Sequence, residues 1–456
     1  MVKNISVLGL GKLGASMVAG FASRGFNVIG VDINKKSVDA LNSGLAPVYE
    51  TNLQDVITKY KSRISATMST DDAVANSDIS FVIVPTPSDA NGSFSLEYAK
   101  VAFRALGGAI KKKSSYHTIV LTSTVLPGAT RYGLLPILEE ESGRKCGIDF
   151  GLCYNPEFIA LGSVIRDFLN PDFYLLGQYD SKSGDVLEFV HNSVSENKAP
   201  VKRMSLENAE LAKISINSYV TLKISFANML AQFCQQVPGG DVDIVSDALG
   251  MDSRIGRKYL TGGLGFSGPC FPRDNVALSY FGQKVEVNSI LLKTNDDFNK
   301  GFIKTNLEYL KDHLPKGSSV SVLGLAYKPL SNIVEQSSGI QLCNLLADNG
   351  YRVVGHDPLA TAEARATLKG RVHITDDLDE ALNGADVIFV TTTDECYAGM
   401  QPAKIIGSKD SVVLIDFWRK FNHLKSAKGI KYIPMGVCLD EHHAEIKMKD
   451  LWLARI

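Results

Sequence analysis

Ser6-Val-Leu-Gly-Leu10 recurs letter for letter as Ser321-Val-Leu-Gly-Leu325, and the stretches that follow the two copies also match. Val28-Ile-Gly-Val-Asp32 trails the first copy and Val353-Val-Gly-His-Asp357 the second. Each time a short apolar run meets a glycine turn, an apolar helical segment and a second apolar run closed by aspartate. That alternation of periods describes a βαβ unit. A further pair, Ser77-Asp-Ile-Ser-Phe-Val-Ile-Val84 and Ala385-Asp-Val-Ile-Phe-Val-Thr391, extends the echo. The chain is thereby constrained to two parallel, doubly wound sheets.

Between the halves, Ser205 to Val237 is rich in helix formers, with apolar Leu211, Ile214, Phe226, Met229, Leu230 and Phe233, and ends at Pro238-Gly239-Gly240. A helix of about 30 residues is about 45 Å long. It outruns a small domain, so it is expected to join the halves and to pack against a second subunit. The expected architecture is α/β, with two Rossmann-like doubly wound parallel-sheet domains joined by a long central helix and a small helical domain. The boundaries read as 1–204 for a cofactor-binding domain, 205–300 for the helical domain with a cysteine loop, and 301–456 for a second nucleotide-type domain.

Composition removes several classes of function. The chain has 456 residues, 45% apolar and 21% charged, with a net charge of -1 spread along its length. Nucleic acid is not an expected partner. No apolar run reaches the roughly 20 residues of a membrane span, and Met1 to Gly11 carries no leader pattern, so no membrane partner is expected and a cytoplasmic location is. The seven cysteines are scattered and never spaced CxxC, which argues against a disulfide framework or zinc site. No histidines stand at metal-ligand spacing, and His442-His443 lies in a charged segment, so no metal is predicted. Trp418 and Trp452 read as packing residues.

Gly9-Leu-Gly11-Lys12-Leu13-Gly14 lies between a strand and a helix, with Asp32 closing the next strand. Such a turn needs the first glycine's freedom, admits a pyrophosphate over the second, and packs helix on strand at the third, while the acid bonds ribose hydroxyls. The helix start favours the phosphates. These residues, with Lys35, form the expected cradle for NAD, and Asp32 disfavours the 2'-phosphate of NADP. The second half keeps Gly324 but has Ala326 and Tyr327 where more glycine is needed, so another nucleotide-containing ligand is expected there.

Gly262-Gly-Leu-Gly265-Phe266-Ser-Gly268-Pro-Cys270-Phe-Pro-Arg273-Asp274 places one thiol in a glycine-dense loop before a helix start. Backbone can approach a ligand closely there, and a helix N-terminus favours a thiolate. A buried turn cysteine is the other reading of the same residues.

With its companions, this loop resembles the UDP-glucose/GDP-mannose dehydrogenase family, and the resemblance covers essentially the whole chain. The family's cysteine signature is GxGFGGxCxxKD, against which Ser267 replaces a glycine and Arg273 the lysine. The match extends to Thr86-Pro87, Ser123-Thr124-Val-Leu-Pro-Gly128, Asn155-Pro-Glu157-Phe158 with Asp167 and Pro171-Asp172, Glu210-Leu-Ala-Lys213-Ile-Ser-Ile-Asn217, and Gly324-Leu-Ala-Tyr-Lys328-Pro. The resemblance implies oxidation of a nucleotide-sugar C6 hydroxyl to the carboxylate in two hydride transfers to NAD. Cys270 would form a thiohemiacetal and then a thioester, which water hydrolyses.

Further roles follow from the resemblance. Lys213 stabilises oxyanions, Asn217 supports it, Asp274 sets a protonation state, Glu157 is the base for hydrolysis, and Thr124 holds the water. Thr86, Pro87, Ser123, Thr124 and Arg273 join the cofactor site. Phe158, Leu161, Lys213, Asn217, Arg254, Lys258, Tyr259, Leu260, Gly265, Phe266, Lys328 and Arg419 join the substrate site, with Arg254 reaching from a neighbouring subunit of a homodimer or larger assembly.

Departures bear on the substrate. Leu161 stands where many relatives carry a second glutamate, Glu335 where an arginine is usual, and Asp416-Phe-Trp-Arg419 where Asp-Gly-Arg is common. UDP-glucose is the expected substrate, in polysaccharide precursor synthesis. GDP-mannose and UDP-N-acetylhexosamines are the alternatives within the family. A two-electron hydroxyacid-type dehydrogenase would leave the second domain and Cys270 idle, and an NAD-binding sensor would not need cysteine, lysine and aspartate together.

Overall fold

A computed structural model describes residues 2–159 and 162–453, which form two compact units, Met1–Ile216 and Asn217–Ile456. The first is built on β1 (Asn4–Leu8), β2 (Asn27–Val31), β3 (Ile64–Thr67), β4 (Ile79–Val82), β5 (Thr118–Leu121), β6 (Gly151–Tyr154), β7 (Tyr174–Gln178) and β8 (Val201–Ser205). They lie in the order β3-β2-β1-β4-β5-β6-β7-β8, parallel except where β7 runs against β6. Every residue of β4, β5 and β6 is buried, as expected for strands covered on both faces. Alternate side chains feed two cores: Ile5, Val7, Phe81 and Val120 pack into one, and Leu8, Val82, Ile119 and Leu121 into the other. The strand period of two separates the two faces.

The second unit repeats the plan. β9 (Ser319–Leu323), β10 (Arg352–His356), β11 (His373–Thr375), β12 (Val387–Val390), β13 (Val412–Asp416) and β14 (Ile430–Pro434) lie in the order β11-β10-β9-β12-β13-β14, all parallel. The strand order therefore reverses beside β1 in one sheet and beside β9 in the other. Ligands of such sheets bind outside the strand ends at these reversals.

The shared letters of the echo do not carry the same chemistry. Ser6 joins a buried network in which its Oγ lies 2.6 Å from Ser80 Oγ, itself 2.7 Å from His117 Nε2. Burial pushes His117 down to about 3, so this ring is neutral. Ser321, by contrast, buries its Oγ with no hydrogen-bond partner among the described residues.

The long helix runs Leu206–Cys234, 29 residues, and the boundary between the units falls within it, after Ile216. It stops where Gly240 tucks under its last turn, a Cβ there falling 2.1 Å from the Cys234 carbonyl oxygen. The sequence expectation treats 205–300 as a domain of its own. In the structure Leu264 of that segment joins the core of the second sheet with Val322 and Phe389, while Ala231, Cys234 and Val242 form a small cluster of their own. Among the described residues, no helix is long and apolar enough to cross a membrane.

Candidate active site

The glycine turn leaves β1 and opens the helix Lys12–Ser23. Gly9 has φ 101, and a Cβ on it would lie 2.0 Å from the Ile83 carbonyl oxygen. A Cβ on Gly14 would lie 1.8 Å from the Gly9 carbonyl oxygen. A Cβ on Gly11 would meet nothing within 4 Å, and its φ of -69 suits any residue. Two glycines are thus demanded by the protein's own backbone, whereas the third leaves open space at a helix start with no acid in its first turn and no side-chain cap. A pyrophosphate fits that cradle.

Asp32 is fixed beside it, Oδ2 accepting from Leu10 N at 2.6 Å and Oδ1 from Asn34 N at 2.7 Å. Each carboxylate oxygen keeps acceptor capacity for a ribose hydroxyl. Lys35 is engaged with Asp39 at 2.6 Å on the surface. At the ends of β4 and β5, Ser123 Oγ donates to Val84 O at 2.7 Å and Thr86 Oγ1 to Thr124 O at 2.8 Å, so these hydroxyls tie the end of β4, which flanks the reversal, to the end of its neighbour β5.

The second unit has the same joint in altered form. A Cβ on Gly339 would lie 2.1 Å from the Gly324 carbonyl oxygen, the counterpart of Gly14 against Gly9, but the partner glycine comes after an intervening loop. Asp357 is buried, and its carboxylate accepts from Leu325, Ala326, Leu359 and Ala360 N–H groups at 2.8 to 2.9 Å. That carboxylate is spent on backbone and cannot receive ribose hydroxyls as Asp32 can.

Two buried side chains at the start of the long helix fix the loops after β5 and β6. Glu210 accepts from Gly128 N at 2.6 Å and Thr130 N at 2.8 Å. Burial raises its carboxyl to about 7 against those bonds. One turn on, Lys213 donates to Glu157 O at 2.6 Å and lies 4.3 Å from the Phe158 ring centroid. Glu157 Oε1 is buried without a hydrogen-bond partner among the described residues. Desolvation pushes this carboxyl up to about 8, with Lys213 pulling the other way. Carboxyls displaced by burial beside a charged partner cluster at functional sites, though structural networks displace them too.

In the second unit Cys270 is exposed and caps the helix Phe271–Lys284, with Asp274 N bonded to its carbonyl oxygen at 2.8 Å. Asp274 is buried in the first turn, takes Asn217 Nδ2 at 2.6 Å, and lies 3.8 Å from Arg273 Nε. The loop before the cysteine is held at its base by Asn228, which bonds Gly263 N at 2.8 Å and Leu264 O at 3.0 Å. Asn299 donates to Phe266 O at 2.9 Å, and a Cβ on Gly265 would strike that amide at 2.4 Å. Leu260 and Phe266 are buried, so they offer backbone rather than side chains to a ligand. Tyr259 has φ 67, a costly conformation for an aromatic residue.

The cations expected at the substrate differ in setting. Lys328 follows β9, 5.7 Å from the Tyr327 ring centroid, while Lys258 and Arg254 lie on exposed backbone, Arg254 paired with Asp252 at 2.6 Å. Arg419 corrects the sequence expectation of a substrate grip. It is buried at φ 56, and its guanidinium donates to both oxygens of Asp243 at 2.8 and 2.9 Å and to the carbonyls of Thr261, Gly262, Phe417 and Met435. All five N–H donors are committed to protein. Trp418, read as a packing residue, lies against Gly263 and donates to Thr391 O at 2.8 Å. Leu161 lies outside the described residues. Sequence reasoning missed the loop-holding work of Glu210, Asn228 and Arg419. A buried acid one turn before Lys213 was the only available signal.

A dinucleotide cradle on one doubly wound sheet and a cysteine-capped helix in the unit with the other define an oxidoreductase that works on nucleotides. Residues 3–195 match the NAD binding domain of the UDP-glucose/GDP-mannose dehydrogenase family, 207–301 its central domain and 321–423 its UDP binding domain. The chain is 34% identical over 400 residues to a UDP-glucose 6-dehydrogenase of Haloferax volcanii, covering 87% of this chain and 92% of that one. It is 31% identical to a GDP-mannose 6-dehydrogenase of Pseudomonas aeruginosa, covering 95% and 99%. A solved UDP-glucose dehydrogenase from Pyrobaculum islandicum superposes with a TM-score of 0.86 at 34% identity, covering 96% of this chain and 98% of that one. The chain belongs to the UDP-glucose/GDP-mannose dehydrogenase family and is an NAD-dependent nucleotide-sugar 6-dehydrogenase.

Two expectations follow from the site. Gly14→Ala and Gly339→Ala should each cost about 1–3 kcal/mol of stability through overpacking, while Gly11→Ala should leave thermal stability unchanged and weaken NAD binding about tenfold, or about 1.4 kcal/mol. Thermal melts beside NAD titrations check this. Glu157 holds its proton from the ordinary 4.5 up to about 8, so the folded state loses stability as pH rises through that window. Glu157→Gln should melt like the parent at pH 4 and at a higher temperature than the parent at pH 9.

Proposed function

We propose that the chain oxidises UDP-glucose at C6 to UDP-glucuronate with Cys270 as covalent nucleophile. The observation that carries the chemistry is the thiol's place: Cys270 and Cys396 are the exposed cysteines, and Cys270 alone caps a 14-residue helix, where the dipole favours a thiolate. Relatives named for UDP-glucose, at 34% identity against 31% for GDP-mannose, support the sugar.

The reaction asks distinct work of this chain's residues. Gly11 and the first turn of Lys12–Ser23 hold the pyrophosphate, and Asp32 the ribose of NAD, which when bound supplies a hydride acceptor at each of two oxidation levels. Cys270 sulfur bonds the aldehyde carbon and keeps it from escaping. Lys213, with its ammonium held by the Glu157 carbonyl, supplies positive charge for the oxyanion, while Asn217 and Asp274 hold each other in place. At the thioester stage Glu157 takes a proton from water as the water oxygen bonds the carbon and the thiolate leaves. A carboxyl raised to about 8 is a strong base once ionised.

Stoichiometry and a substrate panel test this reading. Two NADH per sugar, abolished in Cys270→Ala, are expected, with kcat/KM at least about tenfold higher for UDP-glucose than for GDP-mannose or UDP-N-acetylhexosamines. One NADH per sugar, or an active Cys270→Ala variant, would reject the covalent mechanism. Higher kcat/KM with GDP-mannose would reject the sugar.

The assembly reading rests on the long helix. Tyr219, Phe226 and Phe233 are 62%, 48% and 59% exposed and recur every seventh residue, which puts them on one face. The occupant we assign to this aromatic seam is the same helix of a second copy, giving a homodimer. Sedimentation should show a dimer at micromolar concentration and a monomer for Phe226→Asp. A monomeric parent protein would overturn it. No disulfide joins the cysteines among the described residues, and a reducing, cytoplasmic setting is proposed from their scattered spacing in the sequence.

A further inference from the structure

The base of the cysteine loop is fixed by Asn228, Asn299 and Arg419, but its tip is held differently. Gly268, two residues before Cys270, has φ 83, and a Cβ on it would lie 2.5 Å from Tyr327 Cδ2 and 2.8 Å from Cε2. The Tyr327 ring therefore lies against the bare backbone at the tip. Gly268 N also donates to Glu335 O at 3.0 Å. Both partners belong to the segment 325–337, the loop inserted between Gly324 and Gly339.

That segment carries Lys328, directly after Tyr327. Its start is pinned where Leu325 and Ala326 N–H groups bond Asp357, and Tyr327 N bonds Ile333 O at 2.9 Å. Within the segment, Leu330 at φ 58 and Gln336 at φ 54 are left-handed without being glycine. Each costs about 1–2 kcal/mol. Strain retained in a loop that presents a cation is the kind of feature tied to ligand clamps.

We propose that Tyr327 is a positioning residue that couples a nucleoside diphosphate on the Lys328 loop to the placement of the Cys270 thiol. The inference rests on the reading of Cys270 as nucleophile and of this loop as the diphosphate end of the site. An anion drawn to Lys328 settles the loop backbone, and the ring against Gly268 carries that setting to a residue two positions from the sulfur. Binding energy from the non-reacting end of the substrate is thereby used at the reacting end.

The test compares Tyr327→Phe and Tyr327→Ala with the parent enzyme. Three readouts are taken: steady-state kinetics, calorimetric affinity for UDP with GDP run alongside, and the rate of Cys270 alkylation by iodoacetamide with and without that diphosphate. In the parent, the diphosphate that binds should slow alkylation at least threefold. Tyr327→Phe should keep both that response and kcat. Tyr327→Ala should lose the response and about tenfold in kcat, with diphosphate affinity and melting temperature near the parent's.

An unchanged kcat and alkylation response in Tyr327→Ala would overturn the coupling. Loss of diphosphate affinity together with kcat would also overturn it, making Tyr327 a simple binding residue. Failure of both diphosphates to bind the parent, or activity surviving complete Cys270 alkylation, would instead bring down the underlying reading and the coupling with it.

Discussion

The carbonyl oxygen of Gly9 occupies the place where a side chain at position 14 would begin, 1.8 Å from that absent Cβ. From this closeness the rest of the first unit follows. The helix Lys12–Ser23 can lie against β1 only because two glycines face each other across the joint, and its start then falls beside the point where strand order reverses. Phe21, further along the helix, packs among Phe81 and Phe168 and anchors it to the sheet. Cradle and core are therefore one construction, with Gly11 as the position the protein leaves open for something else.

Buried charge organises the chemistry around this frame. Glu210, Glu157, Lys213 and Asp274 all lose water, and each recovers part of the cost differently. Glu210 and Lys213 recover it by holding loop backbone. Asp274 recovers it from Asn217. Glu157 keeps Oε1 buried without a hydrogen-bond partner among the described residues, and its carboxyl is raised further than that of Glu210. Burying a polar group without a partner is expensive.

The second unit shows the same fold turned to another use. Its glycine joint is split by an inserted loop, and its strand-end aspartate is consumed by four backbone amides. Its buried Arg419 draws together the helix bearing Asp243, the base of the cysteine loop and the ends of β13 and β14. The two sheets share a strand order, and the loop between Gly324 and Gly339 with Arg419 makes the second a holder for the cysteine loop.

Local patterns were legible without coordinates. The echo of Ser6–Leu10 in Ser321–Leu325 foretells two sheets of like topology, because strand and helix periods are set by neighbouring residues. The spacing of Gly9, Gly11, Gly14 and Asp32 identifies the cradle for the same reason, and apolar periodicity places the long helix to within a few residues of Leu206–Cys234. What only the tertiary structure decided are relations between distant residues. Gly339 answers Gly324 across an inserted loop, Arg419 reaches Asp243 176 positions away, and Tyr327 lies on Gly268. No local period encodes such meetings. They arise when the core packs, and packing settled that Arg419 clamps protein while Asp32, unlike Asp357, keeps acceptor capacity for a ligand.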